Sequence, residues 1–338
     1  MINSIDQIIK RASESALSNK DAQTAFSVIM NGEIEDGKIC EFLLALKNRG
    51  ESVQEIIAAA KVMRMKCVKV KAPEGSIDIV GTGGDGKGTL NISTAAALVV
   101  AGCGVCVAKH GNKNISSKSG AADVLQYLGV DVMLEPRKIE SSFHFANIGF
   151  MMAPIHHPAV RHVMPARQKL KSRTIFNILG PLTNPADVKY QLTGAFSKDL
   201  LAPMAQALKV LGTKSAWIVH GDDGTDELSI CGKSYVTSLS EGVIKEFEIS
   251  PSDAGLPSHE LEEIIGGDPT ENSHALRALL SGEKSAYRDA VLYNAAAALV
   301  IVKKVKNLRD GVILAMEAID KGAARLTLEK LVQVSCGK

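Results

Sequence analysis

Between Asp78 and Thr94 the chain reads Asp-Ile-Val-Gly-Thr-Gly-Gly-Asp-Gly-Lys-Gly-Thr-Leu-Asn-Ile-Ser-Thr, a short apolar strand followed by a glycine-dense loop and a helix start. Gly81, Gly83, Gly84 and Gly86 take four of six consecutive positions. Lacking Cβ atoms, they reach positive φ and let main-chain N–H groups converge on an anion. Ser93 and Thr94 then place hydroxyls at the start of an alanine-rich helix, whose N-terminal dipole also favours negative charge. This order of elements suits a backbone that holds phosphate.

Two commoner glycine motifs fit less well. Gly81, Gly83 and Gly86 satisfy G-x-G-x-x-G, but Cys106 and Lys109 stand where a dinucleotide site needs an acid for the ribose, and the helix begins several residues late. Gly81 to Lys87 fits the first seven positions of a P-loop, yet Gly88 follows where Ser or Thr must bind the metal.

At 338 residues the chain is long enough for two lobes. The charge of +2, from 39 Lys+Arg against 37 Asp+Glu, leaves no global footprint for nucleic acid or membrane, so any anion binding is local. The longest apolar run, Ala295 to Val302, falls well short of the roughly 20 residues that cross a bilayer. Met1 to Lys10 lacks the order of a secretory signal, and six sparse cysteines suggest reduced thiols, so the expected location is cytoplasmic. Cys103 and Cys106 form a C-x-x-C between a helix end and a strand start, where burial rather than redox chemistry is expected.

The first seventy or so residues show only helical periods. Ile39, Phe42, Leu43 and Leu46 repeat at helix spacing, and Ser52 with Glu55 makes a capping box. From Ile77, short β-rich runs alternate with alanine-rich helices: Ile77 to Val80, Val105 to Ala108, Gly149 to Met152, Gln191 to Ala195 and Ala216 to His220. That alternation predicts an α/β fold with a mostly parallel sheet and ligands at the carboxyl ends of the strands. Residues Cys231 to Ile249 read as further short strands, and three helices are expected from Glu271, Ser285 and Arg309. The expected division is a helical domain over 1–70, with a returning helical segment near 158–185, and an α/β domain over 71–338.

Three more segments carry chemistry. Lys109 to Gly120 holds three lysines, three serines and two asparagines after its strand, offering charge and donors beside the first loop. His220 to Glu227 brings four carboxylates into six residues, and hard oxygen ligands near phosphate suit Mg²⁺. Along Pro158 to Lys171, read as one helix, arginines are suited to grip a carboxylate ligand, while no second ligand cluster supports zinc at His156, His157 and His162.

Gly81-Thr-Gly-Gly-Asp, Asn91-Ile-Ser-Thr, Lys109-His-Gly-Asn, Gly120-Ala-Ala-Asp-Val-Leu, Phe150 to Pro158, Arg173-Thr-Ile-Phe-Asn-Ile-Leu-Gly-Pro-Leu-Thr-Asn-Pro, Gly221-Asp-Asp-Gly-Thr-Asp-Glu and Gly266-Gly-Asp-Pro-Thr-Glu-Asn together resemble the anthranilate phosphoribosyltransferases over nearly the whole chain. The resemblance implies transfer of a phosphoribosyl group from 5-phosphoribosyl 1-pyrophosphate to anthranilate, in tryptophan biosynthesis. It also implies a helical domain hinged to an α/β domain, two Mg²⁺ per protomer and a homodimer formed through the helical part. It places Gly81, Gly84, Asp85, Thr89, Asn91, Ile92, Ser93 and Thr94 at the phosphoribosyl donor. Lys109, Gly111, Asn112, Lys113, Asn114, Ser116, Ser117 and Ala121 complete that set, Ala121 standing where Ser is frequent. Ser93, Asp226 and Glu227 would bind the metals. Gly81, His110, Asn112, His157 and Arg167 would meet anthranilate, Arg167 through the carboxylate. No covalent nucleophile is implied; Lys109 and bound metal act electrostatically. The alternatives are a pyrimidine nucleoside phosphorylase and a non-catalytic nucleic-acid-binding relative of the same fold, and the acidic pair Asp226 and Glu227 argues against both.

Overall fold

A computed structural model describes residues 4–113 and 118–337. Four helices come first: Ile5–Glu14, Asn19–Asn31, Asp36–Arg49 and Val53–Met65. The capping box expected at the last forms, with the Glu55 carboxylate accepting from Ser52 N–H at 2.8 Å while Ser52 Oγ accepts from Glu55 N–H. Seven strands follow: β1 (Ile77–Gly81), β2 (Val107–Gly111), β3 (Ile148–Met152), β4 (Tyr190–Gly194), β5 (Ser215–Gly221), β6 (Ser234–Ser240) and β7 (Val243–Ile249). Their order in one sheet is β3-β2-β1-β4-β5-β6-β7. β1 to β5 run parallel, and β6 and β7 return antiparallel. The carboxyl ends of β1, β2 and β5 therefore share one edge, and the strand order turns from one direction to the other between β1 and β4, where a crevice is expected.

Strand alternation sorts side chains onto the two faces. Ile77, Ile79, Val107, Ile148, Phe150 and Leu192 pack into a core with the helices Ile92–Gly102 and Ala286–Ile301. On the opposite face Ala216, Ile218 and Leu239 join the core of the N-terminal helices, to which Val163, Ala166, Phe176 and Leu182 of the returning segment also contribute. Phe176 stacks edge-on against Phe26, with ring centroids 6.3 Å apart.

Three helical expectations change. Four helices, not three, close the chain: Pro269–Leu280, Ala286–Ile301, Leu308–Asp320 and Ala323–Ser335. The last follows after two residues, and Gly322 at φ 76° makes the turn that the sequence leaves inconspicuous. Pro158 to Lys171 is not one helix but a 3₁₀ turn (Pro158–His162) followed by a short α-helix (Met164–Leu170), with Pro165 in its first turn and Lys171 ending it at φ 47°. A further helix, Pro136–Ala146, lies between β2 and β3. Cys103 is buried, and burial pushes its thiol up to about 12. Among the described residues no helix is long and apolar enough to cross a membrane.

Candidate active site

At the carboxyl edge of the sheet lies a cavity of about 670 Å³. Its lining includes Gly81, Gly84, Asp85, Thr89, Asn91, Ile92 and Ser93 from the first loop and helix start, and Lys109, His110, Gly111, Asn112, Lys113 and Ala121 from the second. Asp226 and Glu227 enter from the third, and Arg167 from the returning segment. Thus residues 145 positions apart, such as Gly81 and Asp226, share one wall.

The glycine loop is tied down by main-chain groups. Thr82 N–H donates to Gly194 O at 2.9 Å, Gly266 N–H to Gly88 O at 2.8 Å, and Gly83 N–H to the Asp226 carboxylate at 2.7 Å. Gly83, Gly84, Gly86 and Gly88 all have positive φ, the conformation that only glycine adopts freely. Gly81 has ordinary φ but must lack a side chain, because a Cβ there would lie 2.4 Å from Asp226 Oδ2.

Of the four carboxylates in the acidic loop, two have structural duties. Asp223 accepts from Thr225 N–H, Thr225 Oγ1 and Ser229 Oγ, and Asp222 accepts from the Tyr235 hydroxyl at 2.7 Å. Asp226 and Glu227 face the cavity. Burial, then the charges of Asp85 and Glu227, raises Asp226 well above the usual carboxylate range. Burial also pushes Glu227 up to about 7, against the pull of Lys109 and a 3.2 Å hydrogen bond from Ser93 N–H. Among the described residues no three His, Cys, Asp or Glu side chains converge as a ready-made metal cage. That suits Mg²⁺, which is usually held by one or two carboxylates together with waters and substrate phosphates. The crowded, partly desolvated acids would regain their charge beside such a cation.

Alternation along β2 sends Lys109 and His110 to different faces. Lys109 is buried, its Nζ donating to Ile79 O at 2.6 Å. Burial lowers its pKa, while Asp78, Glu227 and Asp226 oppose the shift and favour the ammonium. His110 lies opposite, with its main-chain N–H donating to the Asp78 carboxylate at 3.1 Å and its ring Nδ1 3.2 Å from Gly180 O. Its ring centroid is 5.1 Å from that of His157. Burial, then the two neighbouring histidines, lowers His110 well below its ordinary value, so the imidazole is neutral.

Arg167 is half-buried on the facing wall, over the Phe176 ring at 5.9 Å. Burial lowers its pKa, and no carboxylate pairs with it among the described residues. A guanidinium kept from water without an acid partner is prepared for an anionic ligand.

Two expectations are revised. Thr94 is 2% exposed and does not line the cavity, because it points into the core one residue after Ser93. His157 is also buried and stands behind His110 instead of lining the mouth. Asn114, Ser116 and Ser117 lie outside the described residues. The sequence reading missed Gln168, Lys171, Arg173 and Asn177, which complete the facing wall. Arg173 donates to Gly84 O and lies over Phe196 at 4.2 Å. Its only sequence signal is its place at the head of the Arg173–Pro185 motif.

Comparisons with known proteins cover both halves of this arrangement. The glycosyl transferase family helical bundle domain matches residues 5–67, and the glycosyl transferase family a/b domain matches residues 74–325. The anthranilate phosphoribosyltransferase of Beijerinckia indica subsp. indica is 53% identical over 328 residues, covering 97% of this chain and 96% of that protein. The crystal structure of anthranilate phosphoribosyltransferase from Thermus thermophilus superposes with a TM-score of 0.91 at 41% identity, covering 97% of this chain and 99% of that one. The Saccharomyces cerevisiae enzyme in complex with PRPP and Mg superposes with a TM-score of 0.91 at 31% identity, covering 100% and 99%. With both domain families matched and more than half of all positions shared with a full-length relative, this chain belongs to the anthranilate phosphoribosyltransferase family.

Proposed function

We propose that the protein transfers the 5-phosphoribosyl group from 5-phosphoribosyl 1-pyrophosphate to the amine of anthranilate, with the donor on the glycine-loop wall and the acceptor under Arg167. The observation that carries this reading is one cavity holding an acid pair, a bare-backbone cradle and, across from them, an arginine with no carboxylate partner among the described residues. Binding of PRPP and Mg by the yeast relative supports the donor assignment.

The C1–O bond to pyrophosphate breaks as the anthranilate nitrogen bonds to C1, and the nitrogen then loses a proton to water. An arylamine is already neutral at pH 7, so no strong base need prepare it. Ser93, Asp226 and Glu227 would hold Mg²⁺, two per protomer, and the bound metal would supply neutralisation of the leaving diphosphate. Main-chain N–H groups around Gly84 and the start of the helix Ile92–Gly102 orient the phosphates, with Asp85, Thr89 and Asn91 beside them. Lys109 adds positive charge from below the loop. Arg167 holds the acceptor carboxylate, while Asn112 and neutral His110 flank its ring. Positioning and preorganised charge provide most of the acceleration.

In this reading the domain junction falls near residue 70, with 158–185 returning to the helical side. Two copies pair through the helical part, where Met65 is 72% exposed. Six free cysteines accord with a reducing cytoplasm. Mixing protein with anthranilate, 5-phosphoribosyl 1-pyrophosphate and Mg²⁺ should quench anthranilate fluorescence, and EDTA should prevent it. A quench unaffected by EDTA would remove the metal from the reading. The absence of any quench would remove the reaction.

A further inference from the structure

The Gly266–Asn272 motif does not line the cavity, yet its atoms reach it through a directed chain of hydrogen bonds. Gly267 N–H, which can only donate, gives its proton to Asn272 Oδ1 at 2.8 Å. That fixes which way round the Asn272 carboxamide sits. Asn272 Nδ2 then donates to Asn91 Oδ1 at 2.9 Å, which in turn fixes the Asn91 carboxamide. Asn91 Nδ2 donates to Ser119 O at 3.2 Å, a carbonyl that can only accept. A backbone donor at one end and a backbone acceptor at the other leave the two amides one orientation.

The surroundings are built around this chain. Asn272 is 2% exposed, and Tyr287 donates its hydroxyl to Asn91 O at 3.1 Å. The motif's glycines are closely approached: a Cβ on Gly266 would lie 2.9 Å from Asn272 Oδ1 and 3.0 Å from Leu90 N, and one on Gly267 would push aside the Glu271 carboxylate that accepts from Asp268 N–H. Asp268 caps the helix that carries Asn272, accepting from Thr270 and Glu271 N–H. Asn91 lines the cavity at the start of the phosphate-side helix. With Oδ1 already shared by Asn272 and Ser119 Oγ, Asn91 has an N–H rather than a lone pair left to offer there.

We infer that Asn272 is a positioning residue for the diphosphate donor: through Gly267 and Asn91 it keeps an amide donor, and never an amide acceptor, on the phosphate side of the cavity. It touches no substrate. The inference rests on the reading that Asn91 meets the donor's phosphates.

Asn272→Asp changes almost no volume but replaces the donor facing Asn91 Oδ1 with a carboxylate, which turns the Asn91 amide or sets two acceptors against each other. KM for 5-phosphoribosyl 1-pyrophosphate should rise about tenfold or more, while KM for anthranilate changes by less than about twofold. Asn272→Ala, which removes the donor without adding charge, should raise the donor KM about fivefold in the native background and hardly at all in an Asn91→Ala background. Two results would overturn the inference: an Asn272→Ala effect that persists in full without the Asn91 side chain, or one that falls equally on both substrates in step with a lowered Tm. An Asn91→Ala variant with unchanged donor KM would instead show that Asn91 does not meet the phosphates, and the inference would fall with that reading. The single variant thus tells the two failures apart.

Discussion

On the glycine-loop side of the cavity, added Cβ atoms at Gly81, Gly194 and Gly266 would stand 2.4, 1.5 and 2.9 Å from neighbouring atoms, whereas the facing side is furnished by long side chains from Arg167, Gln168, Lys171 and Arg173. The first side positions its groups by packing bare backbone tightly against both main-chain and side-chain oxygens. The second reaches into the space from a short helix and the turn after it, with Gln168, Lys171 and Arg173 exposed. The first should therefore be damaged by adding atoms and the second by removing them. The first tolerates little shape change because interiors are close-packed, while loss of a side chain from the second costs mainly its own contacts with ligand.

The largest effect that could break this contrast is at Gly194, the last residue of β4, which the sequence marks in no way. Gly194→Ala places a methyl 1.5 Å from Asp226 O and must displace the acid corner. Steady-state kinetics should show kcat/KM lower by about 100-fold or more. A variant of near-native activity would mean that the main-chain wall yields easily. Next is Arg167→Ala, expected to raise the anthranilate KM about 10- to 100-fold with the donor KM unchanged, the size of a lost charge-assisted hydrogen bond. An unchanged anthranilate KM would unseat Arg167 from the acceptor carboxylate.

A third prediction concerns stability behind the cavity. Burial, then His156, pushes His157 from its ordinary 6.5 to about 4. The unfolded chain takes up this proton first, so the stabilisation is complete above pH 6.5 and is lost as pH falls from there towards 4, on the order of 3 kcal/mol. Urea unfolding of His157→Gln should show a correspondingly shallower loss between pH 7 and pH 4.5. A loss as steep as the native one would place the acid sensitivity elsewhere. The smallest effect is expected at Arg173→Lys, which gives up the guanidinium over the Phe196 ring and weakens the link to Gly84 O. Because that contact is exposed, the donor KM should rise only about two- to fivefold. A change above about 50-fold would put Arg173 in direct contact with the donor.

The main-chain wall is largely legible in the sequence because its signals are local. Glycine density, strand pattern and hydroxyls lie within seventeen residues, and β1 and the helix after it begin at Ile77 and Ile92. The acidic loop is legible only in part. Composition shows four carboxylates, but the turn bonds that occupy Asp223 and the Tyr235 hydroxyl on Asp222 depend on how the loop closes. The facing wall is legible least. Arg173 meets Gly84 across 89 residues, and no local pattern announces such a meeting. The left-handed turn at Lys171 that separates Arg173 from the helix before it falls on a residue type that rarely adopts positive φ. The Gly266–Asn272 motif stands out by resemblance, but its link to Asn91 spans 181 positions.

The N-terminal helices and one face of the sheet share a single apolar interior, with Ala216, Ile218 and Leu239 packed in continuity with Phe26, Phe42 and Leu46. Severing the chain near residue 70 would strip cover from β5 and β6 and expose that interior to water, so the α/β portion expressed alone should aggregate. Thermal denaturation of the whole protein should accordingly appear as one cooperative event. Any opening of the crevice in use must also be small enough to leave this shared interior dry.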